Sequence, residues 1–121
     1  MKEIQLGIAE SRFADMIWER EPVTTTELVK LAEKEFEWKR TTAHTVIRRL
    51  CDKGLFQNEH GTITALIRRE EFYAAQSRQY VQSTFAGSLP AFIAAFTRGK
   101  PLSAEEAEEI RKMIDEAQER S

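Results

Sequence analysis

The segment "WKRTTAHTVIRRLCDKGLF", residues 38–56, carries three threonines, a histidine and two adjacent arginines at helical spacing. At about 100° per residue, Ala43, Val46, Ile47 and Leu50 fall in one narrow apolar sector. Thr41, Thr45, Arg48 and Asp52 lie opposite, with His44 on one flank and Thr42 and Arg49 on the other. The chemistry these groups offer is recognition of a polyanion with readable edges. An arginine can bind guanine O6 and N7 bidentately, and a threonine can give its hydroxyl to a phosphate and its methyl to thymine. Lys39 and Arg40 precede the helix, where phosphate oxygens would meet both cations and the free amides of a helix start. The plainer alternative, a solvated helix face rich in Thr and Arg, stays open at this level.

Other chemistry is sparse. His44, His60 and the single Cys51 make no metal-ligand spacing, and there is no Gly-rich phosphate loop, nucleophile elbow or Cys–His pairing. The acids of "SAEEAEEI" suit a solvated, well-capped helix start better than a paired-carboxylate site. Cys51 sits beside the apolar sector and is expected to pack as a small hydrophobe. No catalytic activity, metal or cofactor is expected.

The elements that must position this segment follow from periodicity. Ala9, Phe13, Met16, Ile17 and Arg20, with Trp18 beside them, predict a helix over about 8–20, ended by "REPV". Thr24 and Glu27 form a capping-box pattern at the start of a second helix, whose stripe is Leu28, Leu31 and Ala32. The third helix is expected to open at Thr41 or Thr42 and to end at Gly54 in a left-handed cap. "LFQNEHGTITALI" then alternates as two strands about "NEHG", with Asn and Gly supplying positive φ and His60 at the tip. His60 is placed to reach a minor groove or a phosphate; a solvated turn residue is the alternative. Three helices followed by a hairpin is the order of a winged helix-turn-helix domain.

The remainder is helical. "EEFYAAQSRQYVQSTF" predicts one helix ended near Gly87. Ser88 caps the next, with Pro90 in its first turn, and Ser103 with Glu106 is a second capping-box pattern. Phe85, Leu89, Phe92, Ile93, Phe96, Ile110, Met113 and Ile114 are more apolar surface than three short helices can enclose, which predicts a second copy covering them. A compact monomer is the competing reading. The fold class expected is mainly α with a small β-hairpin: a winged-helix DNA-binding domain over 1–69 and a three-helix dimerisation domain over 70–121.

Charge agrees with that division. The 121-residue chain has a net charge of −2, which alone argues against nonspecific nucleic-acid binding. From Lys39 to Lys53, however, five cations face one acid, net +4, whereas Lys100–Ser121 has four cations and seven acids, net −3. No apolar run approaches a membrane span, and "MKEIQLGIAESRF" lacks a signal-peptide core, so a cytoplasmic protein without membrane insertion is expected.

The ordered motifs also carry a resemblance. "LGIAESRFADMIWEREPVTTTEL", the series Trp38, Thr42, Thr45, Arg49, Leu50, Lys53 and Gly54, and "FAGSLPAFIAAF" followed by "LSAEEAEEIRKMI" together resemble the BlaI/MecI/CopY family of penicillinase and methicillin-resistance repressors, over nearly the whole chain. The resemblance implies a homodimeric repressor on a double-stranded DNA operator, palindromic with TACA/TGTA-type half-sites. In the β-lactam branch it implies release through a membrane sensor protease pathway that cuts the C-terminal domain. The family's Asn-Phe cleavage pair falls on Ala95 and Phe96, where the Phe is retained and the Asn is not. The paired Cys-x-Cys motifs of the copper-responsive branch have no counterpart, which argues against copper sensing. Family members often carry Tyr-x-Pro where this chain has Ile63-Thr64-Ala65. Thr42, Thr45 and Arg49 are expected to read bases, and Lys39, Arg40, Thr41, His44 and Arg48 to position the backbone. The reading from a different class is a helical protein–protein interaction module with a winged fold that binds no DNA.

Overall fold

The computed structural model describes residues 6–119; residues 1–5 of the N-terminal stretch considered above lie outside them. Among the described residues, six helices and three strands follow one another. The chain divides into two compact units between Gln79 and Tyr80. The boundary expected from sequence, at 69/70, coincides with the start of the fourth helix, earlier in the chain than this division.

In the first unit, α1 (Ile8–Arg20) buries Phe13, Ala14 and Ile17. Ala9, expected on that face, is exposed. The helix closes with the Glu21 amide donating to the Ile17 carbonyl at 2.8 Å. Pro22, which has no amide to donate, follows at the helix end.

Two residues, Val23–Thr24, form β1, an element the sequence reading did not contain. Thr24 also caps α2 (Thr25–Phe36): its hydroxyl oxygen accepts the Glu27 amide at 3.1 Å. The Glu27 carboxylate accepts from that same hydroxyl at 3.2 Å, in place of the backbone amide a full capping box would use. Leu28 and Ala32 are buried and Leu31 half-buried, and Glu37, at φ 57°, ends the helix in the left-handed region.

The third helix, α3 (Arg40–Asp52), starts one to two residues earlier than expected, so Arg40 lies in its first turn rather than before it. Its buried residues are Ala43, Val46, Ile47 and Leu50, the four predicted. The end is a Schellman motif about Gly54, whose φ is +85°. The Gly54 amide donates to Cys51 (2.9 Å) and the Leu55 amide to Leu50 (3.2 Å), while the Leu50 and Leu55 side chains are both fully buried.

β2 (Phe56–Glu59) and β3 (Thr62–Ala65) pair antiparallel, with Glu59 opposite Thr62. The two turn residues, His60 (φ 53°) and Gly61 (φ 89°), both take positive φ, as a two-residue primed turn requires. Asn58, expected to supply one of those positions, stays in the strand; its carboxamide oxygen accepts the Gly61 amide at 2.8 Å. β1 joins the other edge of β3, giving the order β1-β3-β2 with Val23 opposite Ile63. The hairpin is therefore two strands of a three-stranded sheet, and the Gly61 carbonyl accepts the first amide of α2, that of Thr25, at 2.9 Å.

α4 (Arg69–Phe85) begins in this unit. Phe72 is buried and lies 5.6 Å from the Trp18 ring, which lies 5.0 Å from Phe56. The Trp18 indole donates to the Ile67 carbonyl (3.0 Å). Arg69 bonds the Asp15 carbonyl and pairs with the Asp15 and Glu19 carboxylates, while the Tyr73 hydroxyl donates to Asp15 at 2.6 Å. An aromatic triad of buried Phe56 and Phe72 about half-buried Trp18, ringed by these polar ties, holds the first turns of α4 on α1.

The second unit holds the end of α4, α5 (Leu89–Thr97) and α6 (Ala104–Glu119). Ser88 accepts the Ala91 amide and Ser103 the Glu106 amide, each at 3.1 Å, so both predicted hydroxyl caps form. Phe85 and Phe92 meet edge-on at 5.5 Å, and Tyr80 stands 6.0 Å from each. No residue of α5 or α6 is buried.

Candidate nucleic-acid interface

Because the apolar sector of α3 is locked into the core, its opposite side must project. Thr41, Thr42, His44, Thr45, Arg48 and Arg49 are all exposed, as are Lys39 and Arg40 at the helix start. Lys39 occupies the N-cap position and gives no side-chain cap. The first-turn amides therefore keep their donors for an outside acceptor, beside two cations. Among the described residues no carboxylate pairs with Lys39, Arg40 or Arg48. A shallow open groove lined by Glu33, Glu37, Trp38, Lys39 and Arg40 borders this end, so two acids flank the basic start.

Two of these side chains also make contacts within the fold. The Thr45 hydroxyl donates to the Thr41 carbonyl at 2.9 Å. Its proton is committed to the helix, so Thr45 faces outward as an acceptor and a methyl, not as a phosphate donor. Arg49 is not free: its Nη1 lies 3.6 Å from Oε2 of Glu10 on α1. That contact leaves the Nε–Nη2 edge for a second planar acceptor. Lys53 Nζ lies 3.8 Å from the same oxygen. Glu10 is the residue that sequence reasoning missed here. It stands 39 positions from Arg49 in the chain, and no helical or strand periodicity relates the two.

His60 is exposed at the tip of the hairpin. The turn that carries it is short and bound to the α2 start, so the imidazole's reach is that of one side chain and not of a mobile loop. Cys51 is half-buried at the end of α3; burial pushes its thiol up, and the Asp52 carboxylate adds to the shift. A thiol held protonated in this way suits packing rather than reactivity. Among the described residues there is no cluster of three or more His, Cys, Asp or Glu able to hold a metal, and no helix is long and apolar enough to cross a membrane.

In the second unit, Leu89, Ile93, Phe96, Met113 and Ile114 are each 40–59% exposed, while Phe85, Phe92 and Ile110 are half-buried. Ala95 and Phe96 lie within α5, both exposed.

Comparison with known proteins converges on one family. The family model described as penicillinase repressor matches residues 6–116. The chain is 27% identical to the penicillinase repressor of Bacillus licheniformis, covering 99% of this chain and 98% of that one. It is 21% identical to the methicillin resistance regulatory protein MecI of Staphylococcus aureus strain Mu50, over 94% of this chain and 96% of that protein. It is 20% identical to the penicillinase repressor of Staphylococcus aureus, over 95% and 94% of the two chains.

Proposed function

The chain belongs to the penicillinase repressor family, and from that premise we propose that it represses transcription as a homodimer bound to a palindromic operator. The observation that carries this reading is the division of α3: four residues buried in the core and every candidate contact exposed. An α-helix enters the major groove of B-DNA with its outward face on the base edges. Thr42, Thr45 and the Nε–Nη2 edge of Arg49 act on bases. Lys39, Arg40, Thr41, His44 and Arg48 act on phosphates, with the uncapped first-turn amides, and His60 adds a contact from the hairpin.

One such helix makes few base contacts. Two copies related by a twofold axis, with their α3 helices about 34 Å apart, would read two half-sites one turn of duplex apart. The exposed apolar side chains of α5 and α6 supply a self-complementary face for that pairing. Release follows from cleavage between Ala95 and Phe96 in response to a membrane sensor protease pathway. That bond is accessible, but it lies in a helix, which must locally unwind to enter a protease. The protein acts in the cytoplasm, where its operator lies, and needs no cofactor.

Selection of bound duplexes from a random pool, followed by mobility-shift titration, tests the reading. Recovery of an inverted repeat with half-sites one helical turn apart is the expected result. No binding to any duplex at low salt would refute it, since nonspecific affinity is the minimum for a DNA reader. A fragment cut at residue 95 in induced cells is the expected sign of release; intact protein leaving DNA on addition of a small ligand would replace cleavage with ligand control.

A further inference from the structure

We infer that Glu10 is a specificity-determining residue of the DNA-contact surface: its carboxylate restrains Arg49 and so suppresses binding to DNA of arbitrary sequence. The inference rests on the function proposed above and adds to it a residue from outside the recognition helix.

Glu10 belongs to the first turn of α1, yet its side chain is only 17% exposed and turns toward the end of α3. One carboxylate oxygen accepts the Gly7 amide at 3.4 Å. The other, Oε2, is buried and, among the described residues, accepts no hydrogen bond; Arg49 Nη1 lies 3.6 Å and Lys53 Nζ 3.8 Å from it. A carboxylate removed from water needs nearby positive charge. Here that charge comes from two cations of the basic segment, at distances longer than a hydrogen bond.

The consequence is asymmetric between kinds of DNA contact. A phosphate in an arbitrary sequence attracts the guanidinium as a whole and draws it off Glu10, which leaves the buried oxygen poorly compensated. A guanine edge presented in register can be met by the Nε–Nη2 side while Nη1 stays beside Glu10. Contacts that strip Arg49 from Glu10 are thus penalised, and contacts compatible with the pair are not. Among the described residues no carboxylate restrains Lys39, Arg40 or Arg48 in this way, so they supply the general attraction and Arg49 the discrimination.

The test uses Glu10→Gln in the full-length protein. The amide keeps the side chain's size and an oxygen for the Gly7 amide, and removes only the charge. Binding of the parent and the variant to a random-sequence duplex and to the selected operator is measured by mobility shift from low to moderate salt. The variant is expected to bind the random duplex more tightly, with a log–log salt dependence steeper by about 0.9, the value for one added phosphate contact. Its operator-to-random affinity ratio should fall several-fold. In an Arg49→Gln background the same change at Glu10 should move slope and ratio far less than in the parent, the remainder being the part due to Lys53, whereas a merely structural role for Glu10 would give equal changes in both backgrounds.

An unchanged or shallower slope, or equal gains on both duplexes, would overturn the inference while leaving the repressor reading intact. A parent that binds neither duplex would overturn both. Should Glu10→Gln not fold, Glu10→Asp, which withdraws the charge from Arg49 by one methylene, is read for the same steepening.

Discussion

Truncation of Phe96 to alanine probes the pairing of two copies. Phe96 is 59% exposed on α5, and its ring lies 6.0 Å from that of Phe92. Full burial of a phenylalanine is worth about 1.5–3 kcal/mol. Roughly three-fifths of that remains to be gained on association, about 1–2 kcal/mol per copy. A twofold interface uses the residue twice, so the loss is about 2–4 kcal/mol. At 1.4 kcal/mol per decade, the dimer should dissociate about 30- to 700-fold more readily. The protomer itself should hardly notice, because α5 contributes no buried residue. Sedimentation equilibrium of Phe96→Ala and parent over a concentration series measures the shift, with helical circular dichroism as the folding control. Operator affinity should fall in parallel and become steeply dependent on protein concentration. A variant that associates as tightly as the parent would remove Phe96 from the interface. A parent that stays monomeric at working concentration would refute the twofold model of recognition altogether.

Three further outcomes can be checked. Lys39→Ala should weaken operator and random DNA alike and flatten the salt dependence by about 0.9, measured by mobility shift; an unchanged slope would rule out its phosphate contact. Gly54→Ala should destabilise the first unit by about 1–2 kcal/mol in urea unfolding: φ is +85° there, and open space around the position leaves the left-handed backbone as the whole cost. The Tyr73 hydroxyl is pushed up to about 12, first by burial and then by its bond to Asp15, with Arg69 pulling the other way. Its folded-state value lies above the ordinary value of 10.0, so the stability it contributes is intact below pH 10.0 and is lost as the pH rises through about 12. An ultraviolet titration should show a late phenolate step that disappears in Tyr73→Phe, and an unchanged titration would place Tyr73 outside that bond.

What the chain's own order of residues determined is the set of features with a local period. The α3 core quartet, the Thr24, Ser88 and Ser103 caps, the glycine stop at 54 and the exposed Thr/Arg face all repeat at helical spacing or sit at fixed offsets from a helix end. A pattern of that kind is legible because neighbours in space are also near neighbours in sequence. β1 escaped because two residues cannot display alternation, and Thr24 had already announced itself as a cap. The choice of His60 over Asn58 for positive φ was set by cross-strand register, which pairs Glu59 with Thr62 and leaves only His60 and Gly61 for the turn. The Asp15–Arg69–Tyr73 ties and the carboxylate of Glu10 beside Arg49 join residues from separate helices. Only folding brings such charges within a few ångströms, so no periodicity records them. The segment that could touch DNA was therefore written in the sequence, while the restraint on its arginine was decided by the tertiary packing of α1 against α3.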